Sequence, residues 1–178
     1  KCAIKLQILH CKIIISANSA MQIAAQQDKG SKEMNERDGL QGLFLEDLEI
    51  GLTASYGKTV TETDIVMFAG ITGDNNPVHL NEEFAKTTMF AGRIAHGMLS
   101  AGFISTVLGT RLPGPGTIYL SQNLQFKAPV RIGDTVTARV VVREIMPAKK
   151  RAILETNCYV GDLCVIAGES TVMVPSRA

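Results

Sequence analysis

This 178-residue chain has almost no net charge, no cysteine pair at metal or redox spacing, and no apolar run long enough to span a membrane. Its 18 basic and 17 acidic side chains leave a formal net charge of +1. Because neither sign builds a strong field, binding to nucleic acid or to an anionic membrane is not expected. Proline and glycine, at 6 and 16 residues, are too few for a disordered chain, so we expect a globular protein.

The cysteines lack the spacing of a metal site or a redox pair. Cys2, Cys11, Cys158 and Cys164 form neither a C-x-x-C pair nor a cluster with histidine at zinc-ligand spacing. We interpret them as small buried or incidental thiols in a reducing compartment. The expectation is a cytoplasmic protein that binds no metal.

One long uncharged run, 94–110, lies between Arg93 and Arg111. A membrane-spanning helix needs about 20 mostly apolar residues. This run is shorter, and it contains His96, two serines, two threonines and three glycines. It therefore predicts a buried central helix and no membrane span.

Residues 1–38 differ in composition from the rest of the chain. An apolar run interrupted by lysine and histidine precedes a polar, charged stretch at 26–39 that we interpret as a linker. The apolar part has some features of a targeting signal, and Met34 is a candidate natural start. We predict a non-core segment over 1–38 and a single domain over 39–178, a length that can bury a core.

The first half of this domain predicts helices. Thr61-Glu62-Thr63-Asp64 supplies capping residues ahead of a short apolar helix that stops at Gly73. Pro77 restricts the residue before it, so 74–77 predicts a turn. A second short helix is predicted over 81–86. The uncharged run predicts a long helix that begins near Ala95 or His96 and ends before Pro113.

After Pro113 the hydrophobic period changes to two, which is typical of strands. The apolar members of the alternation are Ile118, Leu120, Leu124 and Phe126, then Val136, Ala138, Val140 and Val142. Two more strands are predicted over 152–160 and 164–174, joined by the turn residues Gly161-Asp162. Helices followed by an antiparallel meander predict an α+β fold with the sheet packed on the uncharged helix.

Two ionisable side chains, Asp74 and His79, flank Pro77 in the predicted turn. A carboxylate and an imidazole can share the work of taking a proton from water and delivering one elsewhere. On spacing alone a purely structural turn is favoured, since Asp and Asn are ordinary turn formers and a lone His is often structural. The surrounding sequence changes that balance.

A longer signature surrounds this pair and recurs further along the chain. It comprises 71–79 (ITGDNNPVH), Phe84-Ala85, 93–99 (RIAHGML), 113–116 (PGPG) with Tyr119-Leu120, and 126–130 (FKAPV) with Gly133-Asp134. Over about Leu43 to Pro175 the chain resembles the MaoC-like hydratases of the hot-dog fold, specifically the (R)-specific enoyl-CoA hydratases. Chance matches to so long a signature are rare.

The resemblance implies a single hot-dog fold, an antiparallel sheet wrapped around a long central helix. It also implies reversible addition of water to trans-2-enoyl-CoA, giving (R)-3-hydroxyacyl-CoA. Asp74 and His79 would activate the water, and Ser105 would orient Asp74 by a hydrogen bond. The backbone N–H of Gly97 would polarise the thioester carbonyl, since the first N–H groups of a helix have no internal partner and attract an oxyanion.

Other residues are weaker candidates for substrate contact. They are Asn76 in the turn, His96, Met98 and Phe103 on the central helix, and the cations Lys127 and Arg131, which suit the phosphates of coenzyme A. From sequence alone, core or surface roles are the default for all of them. No cofactor is expected, because coenzyme A is part of the substrate.

The resemblance also implies an assembly and leaves alternatives open. Domains of this fold pair edge strand to edge strand, so at least a homodimer is expected, with a place in fatty acid metabolism. The same residues would serve a dehydratase that acts on acyl-carrier-protein thioesters. A thioesterase and a non-catalytic module that binds acyl thioesters remain further alternatives.

Overall fold

The computed structural model describes residues 40–178. The predictions for 1–38 and for the linker fall outside the described residues. The helices are α1 (Glu62–Thr72), α2 (Pro77–Leu80), α3 (Glu82–Lys86) and α4 (Gly97–Thr110). The strands are β1 (Thr53–Thr59), β2 (Ile118–Phe126), β3 (Thr135–Met146), β4 (Arg151–Val160) and β5 (Leu163–Met173). Short 3-10 turns cover Leu45–Asp47 and Pro147–Lys149.

Helix α1 begins and ends at the residues that the sequence indicates. The Thr61 side chain accepts the Asp64 N–H, and the Asp64 carboxylate accepts the Thr61 N–H at 2.9 Å, which makes a capping box. At the other end Gly73 adopts the left-handed conformation with φ 77°. Glycine takes this conformation at little cost and lets the chain leave the helix abruptly. The chain therefore passes directly from α1 into the turn that carries Asp74.

The five strands form one antiparallel sheet in the order β1-β3-β4-β5-β2. The predicted meander is correct for β3, β4 and β5 but wrong for β2, which pairs with β5 and not with β3. The connection 127–134 carries the chain from one edge of the sheet to the opposite side. Alternation identifies strands, whereas the length and course of the connection decide which strands become neighbours.

The core lies between the sheet and α4, and the sheet wraps the helix, which contacts β1, β2, β3 and β4. The alternating residues of β3 face inward, and Val136, Ala138, Val140 and Val142 are all 0% exposed. On the helix Ile104 and Val107 are equally buried. Burying each such aliphatic side chain stabilises the fold by roughly 1.5–3 kcal/mol. The uncharged run is thus the central helix, as predicted.

Candidate active site

A cavity of about 420 Å³ opens beside the first turn of α4. The turn before α2, the segment 89–97 and the end of β2 contribute to its wall. The apolar part of the lining includes Met89, Phe90, Ile94, Met98, Phe126 and Ile166. The polar part is Asp74, His79, His96, Ser100 and Lys127. An apolar cavity with a few convergent polar groups is the usual form of a small-molecule site.

The turn that carries the acid/base pair is stabilised by its own side chains. Asp74 accepts the N–H of Asn76 through Oδ1 at 3.3 Å. Asn76 caps α2 by accepting the N–H of Val78 at 3.2 Å. Pro77 occupies the first position of that helix, where its missing N–H costs nothing. This short helix, which the sequence analysis missed, turns His79 back toward Asp74.

His79 is held by a hydrogen bond that fixes which ring nitrogen is free. Its side chain is buried, and Nδ1 lies 2.9 Å from the carbonyl oxygen of Ile94. Because a carbonyl oxygen only accepts, Nδ1 carries the proton and Nε2 is left with a lone pair. The His79 carbonyl in turn accepts Nε of Arg93 at 2.6 Å. His79 can therefore take or return a proton through Nε2 alone.

Asp74, His79 and His96 converge. One ligand-type atom from each lies within 4.8 Å of those of the other two. The spacing would suit a metal ion, although Nε2 of His96 donates to the Asp74 carbonyl at 3.0 Å and leaves only Nδ1 of that ring as a possible ligand. The Asp74 carboxylate and Nε2 of His79 are also placed to take and return protons.

Gly97 is the first residue of α4 and is exposed beside the cavity. Its N–H has no acceptor within the helix, and the helix dipole adds to its attraction for negative charge. A side chain at this position would collide with Phe126, because a Cβ would lie 2.6 Å from Phe126 Cε1. A side chain at 97 would thus have to displace the Phe126 ring, which glycine leaves in place.

Cys158 is a buried thiol beside this helix. Its Sγ lies 3.6 Å from the carbonyl oxygen of Ser100. Burial, with a smaller contribution from Cys164, raises the pKa of Cys158 to about 12. A thiol that stays protonated is a poor nucleophile, so Cys158 is a structural residue, as predicted.

The structure brings some of the predicted site residues together and separates others. Asp74, His79, His96, Gly97, Met98 and Lys127 line the cavity. Ser105 is exposed on α4 outside the cavity lining, whereas Ser100 is buried and lines it. Five residues along an α-helix correspond to a rotation of about 140°, so these two serines face different sides. The structure therefore does not bring Ser105 to Asp74 of its own chain.

Three weaker candidates also lie outside the cavity lining. Asn76 serves as the cap of α2. Phe103 is a core residue whose ring packs edge-on against Tyr56 at 5.8 Å. Arg131 donates to the Phe90 carbonyl at 2.6 Å and so holds the segment beside the cavity without entering it. The contribution of these three residues to substrate contact stays a prediction that their positions do not support in the single chain.

Sequence reasoning missed several lining residues, namely Met89, Phe90, Ser100 and Ile166. Phe126 was noticed as part of a strand and of the family signature, not as a wall of the cavity. Ser100 is the one with a signal in the sequence. It follows His96 by four residues on a predicted helix, a spacing that places two side chains on the same face.

A five-stranded antiparallel sheet wrapped around one helix defines the hot-dog class of domain. The model of the MaoC-like domain family matches residues 47–160. The chain is 60% identical over 134 residues to the (R)-specific enoyl-CoA hydratase of Rhodospirillum rubrum, covering 75% of this chain and 93% of that protein. This chain belongs to the MaoC-like family.

Two further relatives support the same assignment. The chain is 55% identical over 138 residues to the 3-hydroxybutyryl-CoA dehydratase of Methylorubrum extorquens, covering 78% of this chain and 88% of that protein. An R-hydratase from Pseudomonas aeruginosa, solved without ligand, superposes with a TM-score of 0.73 at 42% identity and covers 78% and 89% of the two chains. The resemblance and the hot-dog fold predicted from the sequence are confirmed.

Proposed function

We propose that this protein is an (R)-specific enoyl-CoA hydratase that reversibly adds water to trans-2-enoyl-CoA and gives (R)-3-hydroxyacyl-CoA. One observation carries the proposal: Asp74 and His79 converge beside the free N–H of Gly97 at an apolar cavity. The names of the relatives in Rhodospirillum rubrum and Methylorubrum extorquens agree with this reaction class.

The thioester carbonyl accepts a hydrogen bond from the Gly97 N–H, and its acyl chain lies against the apolar wall of the cavity. As water attacks C3, negative charge develops on the carbonyl oxygen, where the amide and the dipole of α4 stabilise it. This interaction is stronger in the transition state than in the ground state, so it accelerates the reaction.

Asp74 and His79 hold the attacking water. One O–H bond of the water breaks as the C3–O bond forms, and the proton passes to the carboxylate or to Nε2 of His79. The enolate then takes a proton at C2 from the same pair. Because the pair lies on one side of the substrate, hydrogen and hydroxyl add to the same face. Dehydration is the same path in reverse.

Lys127 lines the cavity and is our candidate for contact with a phosphate of coenzyme A. The reaction as proposed moves only protons and water, so it requires no metal or redox cofactor. Within residues 40–178, no helix combines the length and hydrophobicity needed to cross a bilayer. We place the enzyme in the cytoplasm, in fatty acid metabolism.

We also propose that the enzyme is a homodimer, or a larger assembly of dimers, joined through β2. That strand lies at one edge of the sheet. It exposes Ile118 at 51%, Leu120 at 41% and Phe126 at 56%. An edge strand with exposed apolar side chains pairs readily with a second copy of itself.

Hydration of crotonyl-CoA tests the proposed reaction and separates it from its alternatives. Purified protein should reduce the enoyl absorbance without releasing free thiol, whereas a thioesterase would release coenzyme A. A module that only binds acyl thioesters would do neither. The same measurement with crotonyl attached to acyl-carrier protein reports which carrier is preferred.

Asp74→Asn tests the assignment of the base. The amide nearly preserves the shape of the carboxylate but cannot accept the proton, so kcat should fall about 100- to 10,000-fold. Lys86→Gln, which removes a surface ion pair with Glu83, is the matched control and should retain wild-type kcat. Unchanged turnover by Asp74→Asn would refute the assignment.

A further inference from the structure

His96 touches both halves of the proposed site. It is the N-cap residue of α4 and makes no side-chain cap hydrogen bond to its own helix. Its ring instead reaches the preceding turn, where Nε2 donates to the Asp74 carbonyl oxygen at 3.0 Å. The next residue in the chain is Gly97, whose N–H is the proposed carbonyl donor. A single residue thus connects the turn that activates water to the amide that binds the thioester.

The His96 ring is also fixed in place from two sides. It is 2% exposed. The His79 ring lies against it with centroids 3.9 Å apart and 32° between the ring planes. The Phe68 ring packs at 4.9 Å and 45°. His96 therefore contacts each member of the acid/base pair, Asp74 through its backbone and His79 through its ring.

Hydrogen bonding argues against a role for His96 in proton transfer itself. Since Nε2 donates to a carbonyl, Nδ1 carries the lone pair. That Nδ1 is buried and has no hydrogen-bond partner among the described residues. Because this nitrogen is buried, water or substrate in the cavity does not reach its lone pair, so His96 offers no path for a proton between them.

From these contacts we infer that His96 is a positioning residue, which sets the separation between the water held by Asp74 and His79 and the carbonyl held by Gly97. This inference rests on the proposed function. Attack requires the water and the thioester carbonyl to be in place at the same time, and a displacement of about 1 Å between them lowers the rate about 100-fold. Substrate binding through the apolar wall does not depend on the Asp74 carbonyl. Loss of the hydrogen bond should therefore lower kcat and leave KM almost unchanged.

Two substitutions separate the hydrogen bond from the ring. His96→Phe keeps an aromatic ring beside His79 but cannot donate to Asp74, and its kcat should fall about 100-fold with KM within about twofold of wild type. His96→Gln restores an N–H near the position of Nε2, and its kcat should return to within about tenfold of wild type. Ile104→Val, buried on the same helix, is the structural control: its Tm should fall while its kcat is unchanged.

The comparison of variants decides the inference. Wild-type turnover in His96→Phe would overturn it, and so would equal losses in His96→Phe and His96→Gln. In either case the hydratase activity of the wild-type protein would stand. Absence of hydration by the wild-type protein with enoyl-CoA of every chain length would instead refute the proposed function, and the positioning role in catalysis would fall with it.

A spectroscopic measurement tests the same hydrogen bond without activity. The chain contains only three histidines, so the imidazole ¹⁵N spectrum is simple and His96→Gln assigns one set of signals. We expect opposite tautomers, with the proton on Nδ1 of His79 and on Nε2 of His96. A proton on Nδ1 of His96 would overturn the inference, because that tautomer cannot donate to the Asp74 carbonyl.

Discussion

Gly97 presents a free amide toward the substrate, and its Cα, which carries no side chain, lies beside the Phe126 ring. The sequence does not reveal the contact with Phe126, since residues 97 and 126 belong to different elements. The Phe126 ring occupies the space that any Cβ at position 97 would need, with contacts of 2.6 Å and 2.8 Å to its ring atoms. Substitution at 97 must therefore displace the ring from the cavity wall.

We predict that Gly97→Ala lowers kcat/KM by about 10- to 100-fold, because the displaced ring disturbs the carbonyl site. Phe126→Ala removes the obstacle. In a double-mutant cycle, Gly97→Ala should cost much less in the Phe126→Ala background than in the wild type. Steady-state hydration of crotonyl-CoA provides the measurement. Equal losses in both backgrounds would mean that the methyl group itself blocks the substrate.

The residue-level roles show where sequence reasoning succeeded and where it failed. Asp74, His79 and Gly97 were identified through a signature whose spacing is local, and the turn and helix N-terminus then placed them together. Ser105 was assigned through the family resemblance, whereas the direction of a helical side chain depends on its angle around the axis. Ser100 shares the face of His96 and was overlooked. The conversion of chain distance into angle would have distinguished the two serines.

At the scale of the element, local chemistry predicts where helices begin. Thr61 and Asp64 cap α1 as the sequence indicated, and Asn81 caps α3 by accepting the N–H of Phe84 at 3.0 Å. The sequence around the four-residue helix α2 predicts only a turn, because a proline and two asparagines dominate it. The larger error concerned which strands lie next to each other in the sheet. β2 lies beside β5, and pairing over this distance depends on tertiary packing that periodicity does not encode.

Removal of the α1 cap should destabilise the protein without touching the site directly. Thr61→Ala loses the hydroxyl that accepts the Asp64 N–H, and we expect the free energy of unfolding to fall by about 1 kcal/mol. Urea denaturation of wild type and variant measures the difference. Thr63→Ala is a useful comparison because that exposed threonine lies in the same helix and its hydroxyl has no capping role, and its effect should be smaller. A loss as large in Thr63→Ala would contradict the assignment of the effect to the cap.

Asp64 should make part of this stability depend on pH. Burial acts to raise the pKa of Asp64, but hydrogen bonds from the Thr61 hydroxyl and N–H, with the nearby Lys58 ammonium, outweigh it and lower the pKa below its usual range. A carboxyl with a lowered folded-state pKa stabilises the fold above its unfolded-state pKa, and this stabilisation is lost as the pH falls through the folded-state value.

We therefore expect wild type to exceed Asp64→Asn in unfolding free energy at neutral pH. The difference should shrink on acidification to a pH below the ordinary aspartate pKa of about 3.9, as the Asp64 carboxyl takes up a proton. Urea denaturation at both pH values measures it. The same difference at both would show that the carboxylate charge is not responsible.

The sheet formed by the described residues has two edges, β1 and β2, and they are not equivalent. β1 is short, and between its partly buried residues it exposes Thr53, Ser55, Gly57 and Thr59. β2 is longer and exposes large apolar side chains. These differences favour β2 as the face that meets a second copy.

Ile118→Lys should weaken the proposed dimer, since pairing through β2 would bury an unpaired ammonium at a cost of several kcal/mol. Sedimentation velocity over a range of concentrations should show a shift from dimer toward monomer. Leu163→Lys, at a residue 57% exposed at the start of β5, is the control and should sediment as wild type. A dimer unaffected by Ile118→Lys would show that the chains associate elsewhere.

Arg131 stabilises the segment 89–97, which forms one side of the cavity, by hydrogen bonds. It donates to the carbonyls of Phe90 and Arg93, and Arg93 pairs with Glu62 at 2.8 Å. The wall is thus in place before an acyl chain arrives, and binding does not need to order it. Each added methylene should then contribute about 0.8 kcal/mol of affinity until the cavity is full. The length of acyl chain at which affinity stops rising therefore gives the depth of the cavity in carbon atoms.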